Sequence, residues 1–248
     1  MKRKGNRLKD SIRISLLCGA CMIGLSTFSF AGKASAHGYV ESPASRAYLC
    51  KQGVNVNCGL VQYEPQSIEA RGSFPQLGPS DGQIAGGGIF PELDAQSIDR
   101  WEKVTLNGGK NTFQWKLTAP HSTREWKYYI TKKDWDPNKP LTRSQLETIP
   151  FYQKNDGGVR PGNTVVHEAN VPTDRSGYHL ILAVWEIADT PNAFYQVIDV
   201  NLVNNGLPNV ISSLHTQAVP SVFPYETVAK SESSIESTEI LCGIEENK

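Results

Sequence analysis

The residues best suited to chemistry are five histidines: His37, His121, His167, His179 and His215. His37 follows Ala34-Ser35-Ala36, which has the small residues of a secretory cleavage site. Upstream stand Lys2, Arg3, Lys4, Arg7, Lys9 and Arg13 against Asp10, then an uncharged, largely apolar run from Ile14 to Ala31. Basic region, apolar core and A-x-A together predict a signal peptide over residues 1–36. A membrane anchor is the competing reading, weakened by Gly and Ser within the run and by the small-residue site after it. Lipid attachment at Cys18 or Cys21 is another, and neither cysteine is preceded by a good lipoprotein signal. Cleavage after Ala36 makes His37 the first residue. An N-terminal histidine can chelate a metal through its α-amine and its imidazole Nδ1. A chain-end amine ordinarily titrates at about 7.7–8.0, so a metal displaces a loosely held proton. A third nitrogen from another histidine completes a planar T, an arrangement suited to Cu(II). His121 lies just beyond a strand pattern, in Leu117-Thr-Ala-Pro-His-Ser-Thr123, where a loop could meet the N-terminus. His167 and His179 fall inside strand patterns and His215 in the C-terminal tail. Residue type alone leaves a structural role open for each of them.

Removal of residues 1–36 takes seven of the 25 Lys and Arg and one of the 25 Asp and Glu, leaving 18 basic against 24 acidic residues. A mildly acidic chain without a basic patch is a poor partner for nucleic acid or an anionic membrane surface. No later segment is long and apolar enough to span a bilayer as a helix. The expectation is a secreted, extracellular, monomeric protein. Cys50 and Cys58 are spaced to close a short loop in an oxidising compartment, the alternative being two free thiols. Cys242 is left over.

The elements that must position these residues change character along the chain. Residues 37–100 are rich in Gly, Pro and Ser and weakly periodic, which predicts a long irregular stretch with short helical turns. From Lys103 onward, β-branched and aromatic runs at 103–106, 112–117, 126–131, 164–167, 178–185 and 193–203 are separated by Gly-containing turns. A helical turn is expected at 141–146. This pattern predicts an all-β fold, an antiparallel immunoglobulin/fibronectin III-like sandwich over 37–203 with a long, partly helical insertion packed on it. Residues 204–248 are polar and acidic in their later part and read as a flexible tail.

Several blocks carry a resemblance. His37-Gly-Tyr-Val-Glu-Ser-Pro-Ala-Ser-Arg-Ala47, Gln62-Tyr-Glu-Pro-Gln-Ser67, Trp115-Lys-Leu-Thr-Ala119 with His121-Ser-Thr123, and Ile181-Leu-Ala-Val-Trp-Glu-Ile-Ala-Asp-Thr190 with Asn192-Ala-Phe-Tyr-Gln196 occur in one order. Over 37–203 the chain resembles the bacterial chitin-binding-protein type of lytic polysaccharide monooxygenase. The resemblance implies a copper cofactor, crystalline chitin as substrate (cellulose offers a similar flat β-1,4 surface), an external electron donor, and dioxygen or hydrogen peroxide. It implies oxidative cleavage of β-1,4 glycosidic bonds, with oxidation at C1. It assigns His37 and His121 to the metal and places Phe194 beside one axial position and Ala119 at the other. Glu69 becomes a nearby carboxylate that helps position the oxidant. Tyr63, Glu64, Asp189 and Asn192 become parts of a flat substrate-binding face. Close members of the family often carry a second disulfide, where this chain has Tyr152 and Ala169. The rival reading is a non-catalytic chitin-binding adhesin using the same face. A structural zinc domain needs more closed ligands than the sequence offers.

Overall fold

The computed structural model of the chain describes residues 36–204. The predicted signal segment up to residue 35 and the tail from 205, with His215 and Cys242, lie outside the described residues. One sheet holds β1 (His37–Ser42), β4 (Gly109–Ala119) and β7 (Thr164–Val171), in the order β1-β4-β7, all antiparallel. The other runs β2 (Glu69–Arg71), β9 (Asn192–Val203), β8 (Gly177–Ile187), β5 (Thr123–Ile130) and β6 (Tyr152–Asn155). The two sheets make the expected sandwich.

Three strands escape the sequence pattern. β1 contains a glycine and polar residues, β2 is only three residues long, and β6 is a polar edge strand with Gln153, Lys154 and Asn155 exposed. Edge strands face water on more than one side and so lack an apolar alternation. A further correction concerns direction: β3 (Val104–Asn107) pairs with β9 in parallel, although an antiparallel sandwich was expected. The long irregular crossover after β2 lets the chain return along the same edge of β9 in the opposite sense. The predicted helical turn near 141–146 is a 3₁₀ turn at Arg143–Gln145.

All eleven residues of β8 are buried, because both faces of its sheet are covered. Ile181, Ala183, Trp185 and Ile187 point into the sandwich with Trp115, Trp126 and Phe194. Leu180, Leu182 and Val184 point the other way, against insert residues Ile68, Phe74, Ile84 and Trp101. The insert therefore has a hydrophobic core of its own against the outer face.

A buried ion pair fixes that insert. Ser45 caps helix α1 (Arg46–Lys51), and its hydroxyl donates to Gln196 Oε1 at 2.7 Å. Arg46 grips Asp199 with Nε and Nη2 at 2.9 and 2.7 Å and donates to the Leu93 carbonyl at 2.7 Å. Tyr178 donates to the same carboxylate at 2.6 Å, and Trp101 stacks against the guanidinium. The Cys50–Cys58 disulfide forms, with Cα atoms 6.0 Å apart, and closes the loop after α1. Where the second cross-link of close relatives was expected, Tyr152 stacks on Tyr128 at 5.0 Å and meets the His167 ring at 5.1 Å.

Asp199→Ala would strand a buried guanidinium and is expected to cost about 3–5 kcal/mol in denaturant unfolding. The paired Arg46→Met, Asp199→Leu variant is expected to cost less, and an equal loss would remove the uncompensated charge as the cause. Burial, reinforced by the charge of Lys154 or Arg175 respectively, holds His167 and His179 at about 4, below the ordinary 6.5. Between those values the unfolded chain binds protons that the native chain refuses, so stability falls as pH drops from about 6.5 to 4. His167→Gln is expected to flatten part of that decline in a series of thermal midpoints against pH.

Candidate metal centre

His37 is the first residue of β1 and lies opposite Ala119, near the end of β4. Two residues past Ala119 stands His121, so cross-strand pairing brings both histidines to one end of the sandwich. Gly38 is needed for this approach: a Cβ there would lie 2.5 Å from the Leu117 side chain and 3.2 Å from Trp185. Ala36, directly before His37, is buried at the edge of the inter-sheet core.

The His121 segment is held from two sides. Thr123 N donates to Val159 O at 3.0 Å, and Gly158 N donates to Thr123 O at 2.8 Å. Ser122 bonds to the Gly158 carbonyl through its hydroxyl and accepts at its own carbonyl from Ala188 N at 2.8 Å. The last contact brings the end of β8 alongside, and with it Asp189. Asp189 Oδ1 lies 2.7 Å from His121 Nδ1, close enough for an ion pair. The approach is not aligned as a hydrogen bond, and Nδ1 is buried without a hydrogen-bond partner.

Phe194 is the third residue of β9 and is fully buried, its ring 6.1 Å from that of His37 and 5.1 Å from Trp185. β2 brings Glu69 opposite Phe194. Glu69 Oε1 accepts from Asn192 Nδ2 at 2.7 Å, so these two predicted site residues form a pair with each other. Tyr63 and Glu64 join through the backbone. They follow the 3₁₀ turn Gly59–Gln62 and precede the turn Pro65–Ser67, which packs on β1 and is tied to β9 by Gln196 Nε2 donating to Pro65 O at 2.8 Å. Tyr63 is 76% exposed. Ala119 is half-buried opposite His37.

Sequence reasoning overlooked two supports. Trp185 backs Phe194 and donates to Thr123 Oγ1 at 2.8 Å, so one indole braces both halves of the site. Glu186 is fully buried and accepts from Ser73 N and Phe74 N at 2.8 and 3.0 Å, clamping the chain that leaves β2. A carboxylate inside an otherwise apolar strand pattern was the signal available for Glu186.

Among the described residues, no group of three or more His, Cys, Asp and Glu side chains is placed to hold a metal. A centre on His37 and His121 therefore needs a donor that is not a side chain. The nitrogen of His37 would become one if cleavage after Ala36 turned its amide into an amine. The resulting donors, three nitrogens with no thiolate or carboxylate, are of the kind copper favours.

Comparison with known proteins agrees with this architecture. Residues 37–200 match the family model described as "Lytic polysaccharide mono-oxygenase, cellulose-degrading". GlcNAc-binding protein A of Shewanella oneidensis is 54% identical over 170 residues, covering 68% of this chain and 36% of the relative. Its counterpart from Aliivibrio fischeri is 47% identical over 201 residues, covering 75% and 41%. The chain thus spans less than half the length of these curated relatives. Among solved structures, the catalytic domain of an LPMO from Listeria monocytogenes is 58% identical, with a TM-score of 0.66 over 68% of this chain and 100% of that one. A Bacillus amyloliquefaciens CBM33 protein solved in complex with Cu(I) is 47% identical, with a TM-score of 0.63 over 67% and 100%. From the matched span and these identities, the chain belongs to the lytic polysaccharide mono-oxygenase family.

Proposed function

We propose that residues 37–203 act outside the cell as a copper-dependent enzyme that oxidatively cleaves crystalline chitin at C1, after removal of residues 1–36. The observation that carries this reading is the convergence of His37 and His121 at one sheet end through the register of β1 on β4. Among the described residues no helix is long and apolar enough to cross a membrane. Chitin is favoured over cellulose by the relatives named for GlcNAc, the chitin monomer, although the family description names cellulose.

In this reading the α-amine and imidazole of His37 and the imidazole of His121 would hold the metal. Bound copper supplies one-electron chemistry, by which an external reductant and dioxygen or hydrogen peroxide together oxidise a carbon beside the glycosidic bond. The chain's own residues position and exclude. Asp189, 2.7 Å from His121 Nδ1, would restrain the His121 ring, the part that outer carboxylates play at histidine sites. The buried Phe194 ring, 6.1 Å from that of His37, would keep a further strong donor away from the metal, and Ala119, opposite His37, would leave room beside it. Glu69, oriented by its hydrogen bond from Asn192, offers a carboxylate at the site for placing the oxidant or handling its proton. Tyr63, 76% exposed, would present a ring for stacking on a sugar, with Glu64 next to it in the chain.

N-terminal sequencing of the secreted protein is expected to begin at His37. With copper, ascorbate and β-chitin it is expected to release aldonic-acid oligosaccharides, read by mass spectrometry. Intact binding without oxidised products would instead support a non-catalytic adhesin.

His121→Ala is expected to weaken Cu(II) binding, measured calorimetrically, by more than the roughly 10–100-fold typical of losing an outer partner, while retaining most chitin affinity. Asp189→Asn is expected to fall within that outer-partner range. An unchanged copper affinity in either variant would remove that residue from its assigned role.

A further inference from the structure

Leu60 is displayed in a way that neither the core nor the metal centre requires. It is 68% exposed, and Tyr63, three residues on, is 76% exposed. Tyr63 N donates to Leu60 O at 3.0 Å, closing a 3₁₀-type turn. Residues three apart in such a turn eclipse one another, so both side chains leave the backbone on the same side. Between them Val61 is fully buried and anchors the turn, while Gln62 folds its amide back onto the Gly59 carbonyl at 2.8 Å.

The mount resists rolling inward to hide the leucine. The Cys50–Cys58 disulfide ends two residues before Leu60. Gly59 adopts φ +65° so close to Glu92 that a Cβ would lie 2.4 Å from its carboxyl carbon. Beyond Tyr63, the Gln196 bond to the Pro65 carbonyl ties the chain to β9. An aliphatic side chain held outward on a braced turn, level with an exposed aromatic ring, is built for contact with a surface.

We infer that Leu60 is a specificity-determining substrate contact that selects acetylated polymer by packing on its N-acetyl methyl groups. The inference rests on the reading that Tyr63 belongs to the polysaccharide-facing surface. Both cellulose and chitin offer ring C–H faces, on which Tyr63 can stack, and both offer hydroxyls. The methyl carried by each sugar of chitin is the added feature that an aliphatic side chain can recognise, since leucine has no hydrogen-bonding group to offer a hydroxyl. Burying a contact of about one methyl corresponds to roughly a three- to tenfold change in affinity.

The test compares binding of the secreted protein to β-chitin and to β-chitin de-N-acetylated at its surface by alkali, at a pH where the exposed amines are neutral. The parent is expected to prefer the acetylated surface. Leu60→Ser is expected to reduce that preference three- to tenfold with no change in thermal midpoint, because the side chain is exposed, and Leu60→Met to restore it. An unchanged preference in Leu60→Ser, with Tyr63→Ala losing affinity for both surfaces, overturns the role of Leu60 and leaves the binding face standing. Parent-like binding by Tyr63→Ala as well overturns the face, and this inference with it. An equal loss by Leu60→Ser on both surfaces makes Leu60 a general contact and overturns methyl selection.

Discussion

The pairing of β1 with β4 sets the demand that the rest of the domain meets. A chain end is ordinarily the least ordered part of a fold. In the proposed mature protein the first residue would have to be held closely enough to share a metal with a loop histidine. Backbone hydrogen bonds to β4 provide the first restraint, and Gly38 lets β1 lie close against Leu117 and Trp185. The ring of Phe194 beside His37 continues the inter-sheet core to the edge of the site. The proposed centre thus borders the inter-sheet core.

The second sheet supplies the other half. β8 ends and β9 begins beside the start of β5, so Asp189 reaches His121, while Phe194 lies by His37 and Asn192 bonds to Glu69. Their positions depend on the insert. Arg46 and Asp199 exchange two charged hydrogen bonds in the interior, and Ser45 and Gln196 add a third link. Buried ion pairs contribute little net stability compared with apolar replacements, but their geometry is demanding. In this fold the pair sets where the insert sits on β9. That placement carries the turn bearing Leu60 and Tyr63 to its position over the sheet.

The local chemistry follows a division of labour common in sites that rely on positioning. Groups proposed to touch the metal or the substrate are partly exposed: His37, His121, Glu69, Tyr63 and Asn192. The groups that fix them are buried: Trp185, Glu186, Gln196 and Phe194. Fixed dipoles and ligands lower the reorganisation needed when a reaction occurs, and a rigid second layer is what keeps them fixed.

Much of this was legible in the sequence because it is written locally. The strand runs after Lys103 and the irregular stretch before them each depend on neighbouring residues, and they pointed to the sandwich and the insert. Ordered blocks of resemblance pointed to the family. Other features needed the folded chain. β1, β2 and β6 carry little apolar periodicity, so their pairing partners define them. The burial of both faces of β8 reflects the insert lying on its sheet, and the parallel run of β3 reflects where the crossover returns. The 2.7 Å approach of Asp189 to His121 and the bond of Asn192 to Glu69 bring residues scattered along the chain into two pairs. Residue type and spacing determine what a side chain can do. Which partner it meets is decided by the register of strands far apart in sequence, where each contact is set by the packing of the whole.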